Sequence, residues 1–206
     1  THCISSAASD VYKRQILISG EDITRMPEHK RQRRIGRVYQ NPSMGTCPQM
    51  TILENMALAD NKGKSFNLLP GTNKKRIDFY REQLKTLGLG LEDKLDVKVG
   101  VLSGGQRQAM ALLMSTMTPI EFLILDEHTA ALDPKTAEVI MELTGKIVRE
   151  KELTTIMVTH NLRYAVEYGD RLLMMHQGHA VIDASGKDKR CLLYTSPSPR
   201  DRQKSR

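Results

Sequence analysis

The chain has 206 residues, of which 39% are hydrophobic and 27% charged, an ordinary composition for a globular domain. No apolar run approaches the roughly 18 residues of a membrane span, and three widely spaced cysteines offer neither metal-ligand spacing nor a disulfide framework. The net charge is +7, but residues 1–15 supply +1 and residues 190–206 supply +4, which leaves +2 for the middle. This balance argues against a nucleic-acid-binding surface.

The two ends differ from the middle and resemble translated sequencing-adapter DNA. Residues 11–15 can be encoded as GTG TAT AAG AGA CAG, and the reverse complement, read from its second base, encodes residues 191–195. We therefore expect residues 1–15 and 190–206 to be non-native tails on a gene that is cut at both ends. Natural disordered tails are the alternative.

In chain order, the middle alternates short apolar runs with stretches of helical periodicity. The runs predict strands at 16–18, 35–39, 121–126, 154–158, 171–175 and 180–183. Helical periods and capping signals, such as the Thr51–Glu54 capping box, predict helices at 52–59, 74–87, 107–117 and 135–151. The last helix should bury Val139, Ile140, Leu143 and Ile147.

The order of these elements predicts an α/β fold. Strands 121–126 and 154–158 have the composition of strands buried in a parallel sheet, and the helix between them implies a right-handed crossover. We expect a sheet core formed by residues 16–51 and 119–189, interrupted by a helical subdomain at about 52–118. Ligands bind beyond the carboxyl ends of parallel strands, where Gln40, Asp126, Glu127 and His160 follow the predicted strands.

The pentapeptide at 102–106, Leu-Ser-Gly-Gly-Gln, is the strongest motif in the chain. Ser103 and Gln106 have capping-box spacing, and the two glycines between them let a large anion approach the backbone of a helix start. Free N–H groups and the helix dipole favour phosphate at such a position. An ordinary capped helix explains the pentapeptide equally well when it is considered alone.

A pair of carboxylates, Asp126 and Glu127, follows the apolar run 122–125. A carboxylate at a strand end can hold Mg²⁺, mostly through water, and a second one beside it can deprotonate an attacking water. Two exposed acidic residues without a function are the alternative. His160 and Gln40 are weak signals by themselves, although a histidine or an amide at this edge could contact a terminal phosphate or the metal.

Taken together, these motifs resemble the ABC ATPase family over about residues 16–186. The resemblance rests on Gln40, the Leu-Ser-Gly-Gly-Gln pentapeptide, Asp126-Glu127, the Ala131-Leu132-Asp133 segment and His160, in that order. It implies a P-loop NTPase-like fold that uses ATP and Mg²⁺. It also implies a head-to-tail dimer in which ATP lies between the P-loop of one subunit and the pentapeptide of the other.

The resemblance also implies a role for each motif residue. Glu127 is expected to be the general base, His160 the switch histidine, and Gln40 a contact to the metal or the attacking water. Asp126 is expected to hold Mg²⁺, and Asp133 to lie in the loop that crosses between subunits. The terminal phosphate of the partner's ATP is expected to contact Ser103, Gly104, Gly105 and Gln106.

Two features depart from the family pattern. His128 stands where the family commonly has proline, and we interpret it as a subfamily trait and not as a catalytic histidine. The Gly-x-x-Gly-x-Gly-Lys-Ser/Thr loop occurs nowhere in the 206 residues, so we expect this chain alone to bind Mg-ATP weakly and to be inactive. Residues 36–46 and 126–134 look most like the tryptophan/tyrosine-type uptake branch of bacteria.

The predicted function is therefore the ATP-hydrolysing subunit of an amino-acid importer, peripheral to the cytoplasmic face of the bacterial inner membrane. Expected partners are a second copy, transmembrane permease subunits and, indirectly, a periplasmic or lipoprotein substrate-binding protein, with no nucleic acid. A soluble ABC ATPase acting on ribosomes or DNA is the alternative. The chain has no sustained heptads and a single cassette, both of which favour the importer.

Overall fold

The computed structural model describes residues 15–64 and 71–186, and the chain divides into two compact units, Thr1–Ile156 and Met157–Arg206. Apart from Gln15, the two expected tails lie outside the described residues. No helix in the described part of the chain is long and apolar enough to cross a membrane.

The first unit contains most of the regular structure. Its helices are α1 (Glu28–Arg34), α2 (Ile52–Asp60), α3 (Ile77–Lys85), α4 (Gly104–Thr116) and α5 (Pro134–Glu150). Its strands are β1 (Leu17–Ile18), β2 (Glu21–Asp22), β3 (Ile35–Val38), β4 (Phe122–Asp126) and the first part of β5 (Thr154–Val158). The α/β fold predicted from the sequence is confirmed.

The sheet of this unit has the strand order β3-β4-β5. Strands β3 and β4 are parallel, with Ile35 opposite Phe122 and Val38 opposite Leu125. Because parallel neighbours end at the same edge of a sheet, the residues that follow β3 and β4 emerge side by side. Gly36 is required in β3, since a Cβ there would lie 2.8 Å from the Ser115 carbonyl oxygen.

The helical segment packs around side chains that are almost wholly inaccessible, among them Met56, Leu84, Met110 and Leu112. Both predicted capping boxes are present, at the starts of α2 and α4. The predicted helix at 74–87 is a 3₁₀ turn followed by α3. Arg76, at the end of that turn, donates to both oxygens of the Asp60 carboxylate, at 2.6 and 3.0 Å, and so fastens the turn to α2.

Two packing predictions are wrong. Val139 is 49% exposed, because the buried stripe of α5 is centred on Ala137, Ile140, Met141 and Thr144 and places Val139 beyond its edge. Strand β5 is half-exposed along its length and not buried on both faces. Among the residues that the structure describes, β5 lies at the edge of the three-stranded sheet and has one neighbouring strand, β4.

The second unit comprises the end of β5, helix α6 (Leu162–Tyr168), and strands β6 (Arg171–His176) and β7 (His179–Ser185). Strands β6 and β7 form the predicted antiparallel hairpin around Gln177-Gly178, with Arg171 opposite Ser185. Both turn residues have a positive φ, 47° and 81°, as a tight two-residue hairpin connection requires.

Candidate functional site

The signature turn, residues 103–106, forms the start of α4. The Ser103 hydroxyl accepts a hydrogen bond from the Gln106 backbone N–H, and the Gln106 side chain accepts one from the Ser103 N–H, both at 3.2 Å. Reciprocal caps of this kind fix the backbone of a first helical turn. The turn therefore presents its glycine backbone at a helix N-terminus, where the helix dipole favours an anion.

Glycine at position 105 is needed for close packing against α5. A Cβ on Gly105 would lie 2.3 Å from Cγ2 of Thr136, whereas one on Gly104 would meet its nearest neighbour, Leu132, at 3.4 Å. Asp133 caps α5 by accepting from the Thr136 N–H at 3.1 Å, and hydrogen bonds to Thr136 lower the pKa of the Asp133 carboxyl. The structure thus brings the signature turn and the Asp133 turn into contact.

Asp126 is the last residue of β4, and its carboxylate accepts a hydrogen bond from Arg37 at 2.9 Å. The Arg37 guanidinium carbon also lies 4.7 Å from the centre of the Tyr39 ring. A single, partly exposed carboxylate at a strand end fits an Mg²⁺ ion, which keeps several waters and takes few protein ligands. In the described residues no three acidic, histidine or cysteine side chains converge as a metal cage.

Glu127 has an unusual backbone conformation. Its φ is +44°, in the left-handed region that side chains other than glycine rarely adopt, at a cost of about 1–2 kcal/mol. Strain of this kind concentrates at functional sites, where the surrounding structure holds it. Neither the composition nor the spacing of the sequence indicates this strain, because the residue is not a glycine and no turn motif surrounds it.

Gln40 is exposed and lies two residues beyond the end of β3. It therefore emerges at the same sheet edge as Asp126 and Glu127, as predicted. The segment that follows it is fixed by the buried Asn55 side chain, which accepts from the Cys47 N–H at 2.7 Å and donates to the carbonyl oxygens of Cys47, at 3.0 Å, and Thr51, at 2.9 Å. Asn55 lies within the predicted helix 52–59, and no sequence motif indicates its role.

His160 belongs to the second unit, where it is exposed and lies two residues beyond the end of β5. The next residue, Asn161, caps α6 by accepting hydrogen bonds from the N–H groups of Arg163 and Tyr164. The local geometry is therefore strand, short turn and capped helix. The strand end before His160 is predicted from the sequence, whereas helix α6 is not.

His128 is buried directly after the acidic pair, with 2% of its surface exposed. Its Nε2 lies 3.2 Å from the Thr144 hydroxyl of α5, and burial lowers the pKa of the imidazole to about 4. A neutral ring hydrogen-bonded to a helix is a structural anchor for the turn that carries Glu127. This environment agrees with the prediction that His128 is not catalytic.

Folding stability should therefore depend on pH through His128. The pKa is about 4 in the folded chain and about 6.5 in the unfolded one, so the stabilisation is present above the unfolded value and is lost as the pH falls. Urea unfolding should show a loss of about 2 kcal/mol between about pH 7.5 and 5. In His128→Gln this loss should be absent, and an unchanged pH profile in that variant would contradict the assignment.

The chain is similar in sequence to known proteins. The family model described as ABC transporter matches residues 3–130. The chain is 51% identical over 175 residues to the tyrosine transport ATP-binding protein of Clostridioides difficile, covering 85% of this chain and 69% of that protein. It is 34% identical to the probable ABC transporter ATP-binding protein PEB1C of Campylobacter jejuni, covering 65% of this chain and 52% of the relative.

Solved structures give the same result. A dimeric ATP-binding cassette in a post-hydrolysis state with ADP and Pi is similar with a TM-score of 0.68 and 27% identity, over 84% of this chain and 74% of that one. The cbiO1 protein of Clostridium perfringens, part of the ABC transporter complex cbiONQ, has a TM-score of 0.70 and 25% identity, over 88% and 68%. The chain belongs to the ABC transporter ATP-binding family, whose nucleotide-binding domains are ATPases.

Proposed function

We propose that this chain is the major part of the ATP-hydrolysing subunit of a bacterial amino-acid importer, peripheral to the cytoplasmic face of the cell membrane. The similarity to a tyrosine transport ATP-binding protein over 85% of the chain supports amino acids as the transported class of molecule. The importer is preferred to a soluble ABC ATPase because the relatives compared above include transporter subunits.

We propose that two copies face each other head to tail, with each ATP between the signature turn of one copy and the acidic pair of the other. The packing of Gly105 on Thr136 supports this, because it sets the anion-binding turn beside the Asp133 turn on one surface. The signature turn, exposed at a helix N-terminus, suits a negatively charged ligand shared with a partner.

In this proposal, Glu127 accepts the proton of the attacking water, and His160 and Gln40 orient the terminal phosphate and the water. Asp126 would hold Mg²⁺, which neutralises charge on the phosphate oxygens when it is bound. Two observations support this role: the Asp126 side chain is 41% exposed, and its carboxylate already pairs with a cationic group, the Arg37 guanidinium, at 2.9 Å. Ser103, Gly104, Gly105 and Gln106 would donate to the terminal phosphate.

We also propose that the transmembrane permease contacts the segment after Gln40 and the helical subdomain, and that a periplasmic or lipoprotein binding protein delivers the cargo to the permease. Exposed apolar side chains lie in these regions, including Met44 at 68% and Leu58 at 51% exposure. Exposed apolar surface is a common property of contact sites.

Nucleotide binding by two chains tests the enzymatic part of this proposal. The first is the 206-residue chain, and the second is a hybrid subunit in which residues 16–189 follow the upstream part of the C. difficile relative. The chain alone has no phosphate-binding loop pattern, so its affinity for Mg-ATP should be at least about a hundredfold weaker than that of the hybrid. Micromolar affinity of the 206-residue chain, measured by calorimetry, would refute the proposal that it is inactive by itself.

A further inference from the structure

Gln108 lies in the first third of α4 and is 1% exposed. Its side-chain amide nitrogen donates a hydrogen bond of 3.1 Å to the carbonyl oxygen of Tyr39, which is 69 residues away in sequence. The Tyr39 carbonyl and the Gln40 nitrogen belong to the same planar peptide group. Gln108 therefore anchors the peptide group that joins Tyr39 to Gln40, just beyond the end of β3.

Helix α4 joins this anchor rigidly to the signature turn. Gln108 is three residues beyond Gly105, a distance of about 4.5 Å along a helix. Gly105 in turn contacts Thr136, at the start of α5. A movement of the signature turn therefore moves Gln108 with it, because helix hydrogen bonds resist shear over less than one turn.

The contacts continue on the other side of Tyr39. Its ring lies under the Arg37 guanidinium, and Arg37 donates to Asp126. An unbroken series of contacts thus runs from the signature turn, through Gln108 and Tyr39, to the carboxylate at the end of β4.

We propose that Gln108 is a positioning residue that couples the signature turn to Gln40. When the turn shifts, as on engaging a phosphate, Gln108 carries the shift to the peptide before Gln40. This inference rests on the proposed function, since it gives the signature turn and Gln40 their roles. In a simpler role, Gln108 only satisfies the buried Tyr39 carbonyl. Its substitution would then lower the free energy of unfolding without linking the signature turn to the segment after Gln40.

Amide hydrogen exchange in the 206-residue chain distinguishes these roles. The reporters are the Met44 and Gly45 amides, which donate to the carbonyl oxygens of Asn41 and Pro42 in the turn after Gln40. In Gln108→Met, a change of similar shape without a donor, both reporters should exchange about tenfold faster. Thr116→Val is the matched control, because Thr116 is similarly buried in α4 but its hydroxyl, which the substitution removes, donates within the helix to the carbonyl oxygens of Leu112 and Leu113.

A second pair of measurements tests the coupling itself. Ser103→Ala, which frays the start of α4, should speed exchange at Met44 and Gly45 when Gln108 is present and should have no added effect in Gln108→Met. The proposal is overturned if Ser103→Ala leaves both reporters unchanged in the Gln108 background, an outcome that can be read even if Gln108→Met does not fold. It is equally overturned if Thr116→Val accelerates the reporters as much as Gln108→Met does.

These measurements do not use ATP hydrolysis. Failure of the proposed function would be seen in the hydrolysis assays of Glu127 variants, whereas failure of the coupling would be seen only in the exchange rates.

Discussion

Glu127→Gln in the hybrid subunit should lower the rate of ATP hydrolysis by about 10²- to 10⁴-fold, the usual contribution of a general base. The amide has the same shape as the carboxylate but cannot accept the proton of the attacking water. Binding of Mg-ATP should be retained, because the proposed phosphate contacts come from other residues. Single-turnover hydrolysis and nucleotide affinity, measured in the same preparation, separate the two effects.

Glu142→Gln provides the matched control for this substitution. Glu142 is an exposed residue of α5. Its substitution removes the same negative charge as Glu127→Gln, but away from the sheet edge. Its hydrolysis rate should equal that of the unmodified hybrid. If Glu127→Gln also hydrolyses ATP at an unimpaired rate, the proposed role of the acidic pair is wrong.

Ser103→Asp should abolish hydrolysis while leaving the fold intact. Aspartate is a good N-cap and a negative charge at a helix N-terminus is favourable, so the stability of α4 should be kept. The same charge would oppose the phosphate that the signature turn is proposed to bind. Two like charges about 4 Å apart repel by about 4 kcal/mol at an effective dielectric constant of about 20, which corresponds to a loss of about three orders of magnitude.

Ser103→Asn separates charge from capping. Asparagine also caps helices well but is neutral, so this variant should keep most of its hydrolysis. Urea unfolding should give all three versions of the hybrid similar stabilities. If the aspartate and asparagine variants both hydrolyse ATP at the unmodified rate, no phosphate approaches the turn.

The sequence predicts those parts of the fold that depend on local signals. The capping boxes at Thr51 and Ser103 place the starts of α2 and α4 correctly, because a hydroxyl and a side chain three residues later determine that geometry between them. The apolar run before Asp126 likewise predicts β4. The wrong prediction that Val139 is buried shows the limit of local signals. Helical spacing alone does not say where the centre of the buried stripe lies.

The positions of Gln40, Asp126 and Glu127 at strand ends are predictable from the sequence, but their contacts are not. Gln40 and the acidic pair emerge at one sheet edge, as strand ends in a parallel sheet must. The hydrogen bond from Gln108 to Tyr39, the Arg37–Asp126 ion pair and the strained backbone of Glu127 join residues by tertiary packing. Nothing in the local sequence encodes those distances, so only the structure reveals them.

The most direct test of the head-to-tail proposal mixes two inactive hybrids, Glu127→Gln and Ser103→Asp, in equal amounts. In a mixed dimer one ATP site combines both defects, while the other combines the intact acidic pair of one copy with the intact signature turn of its partner. Half of randomly paired dimers are mixed and each has one working site, so hydrolysis should recover to about a quarter of the unmodified rate. A mixture that stays as inactive as its two components would contradict a site shared between subunits.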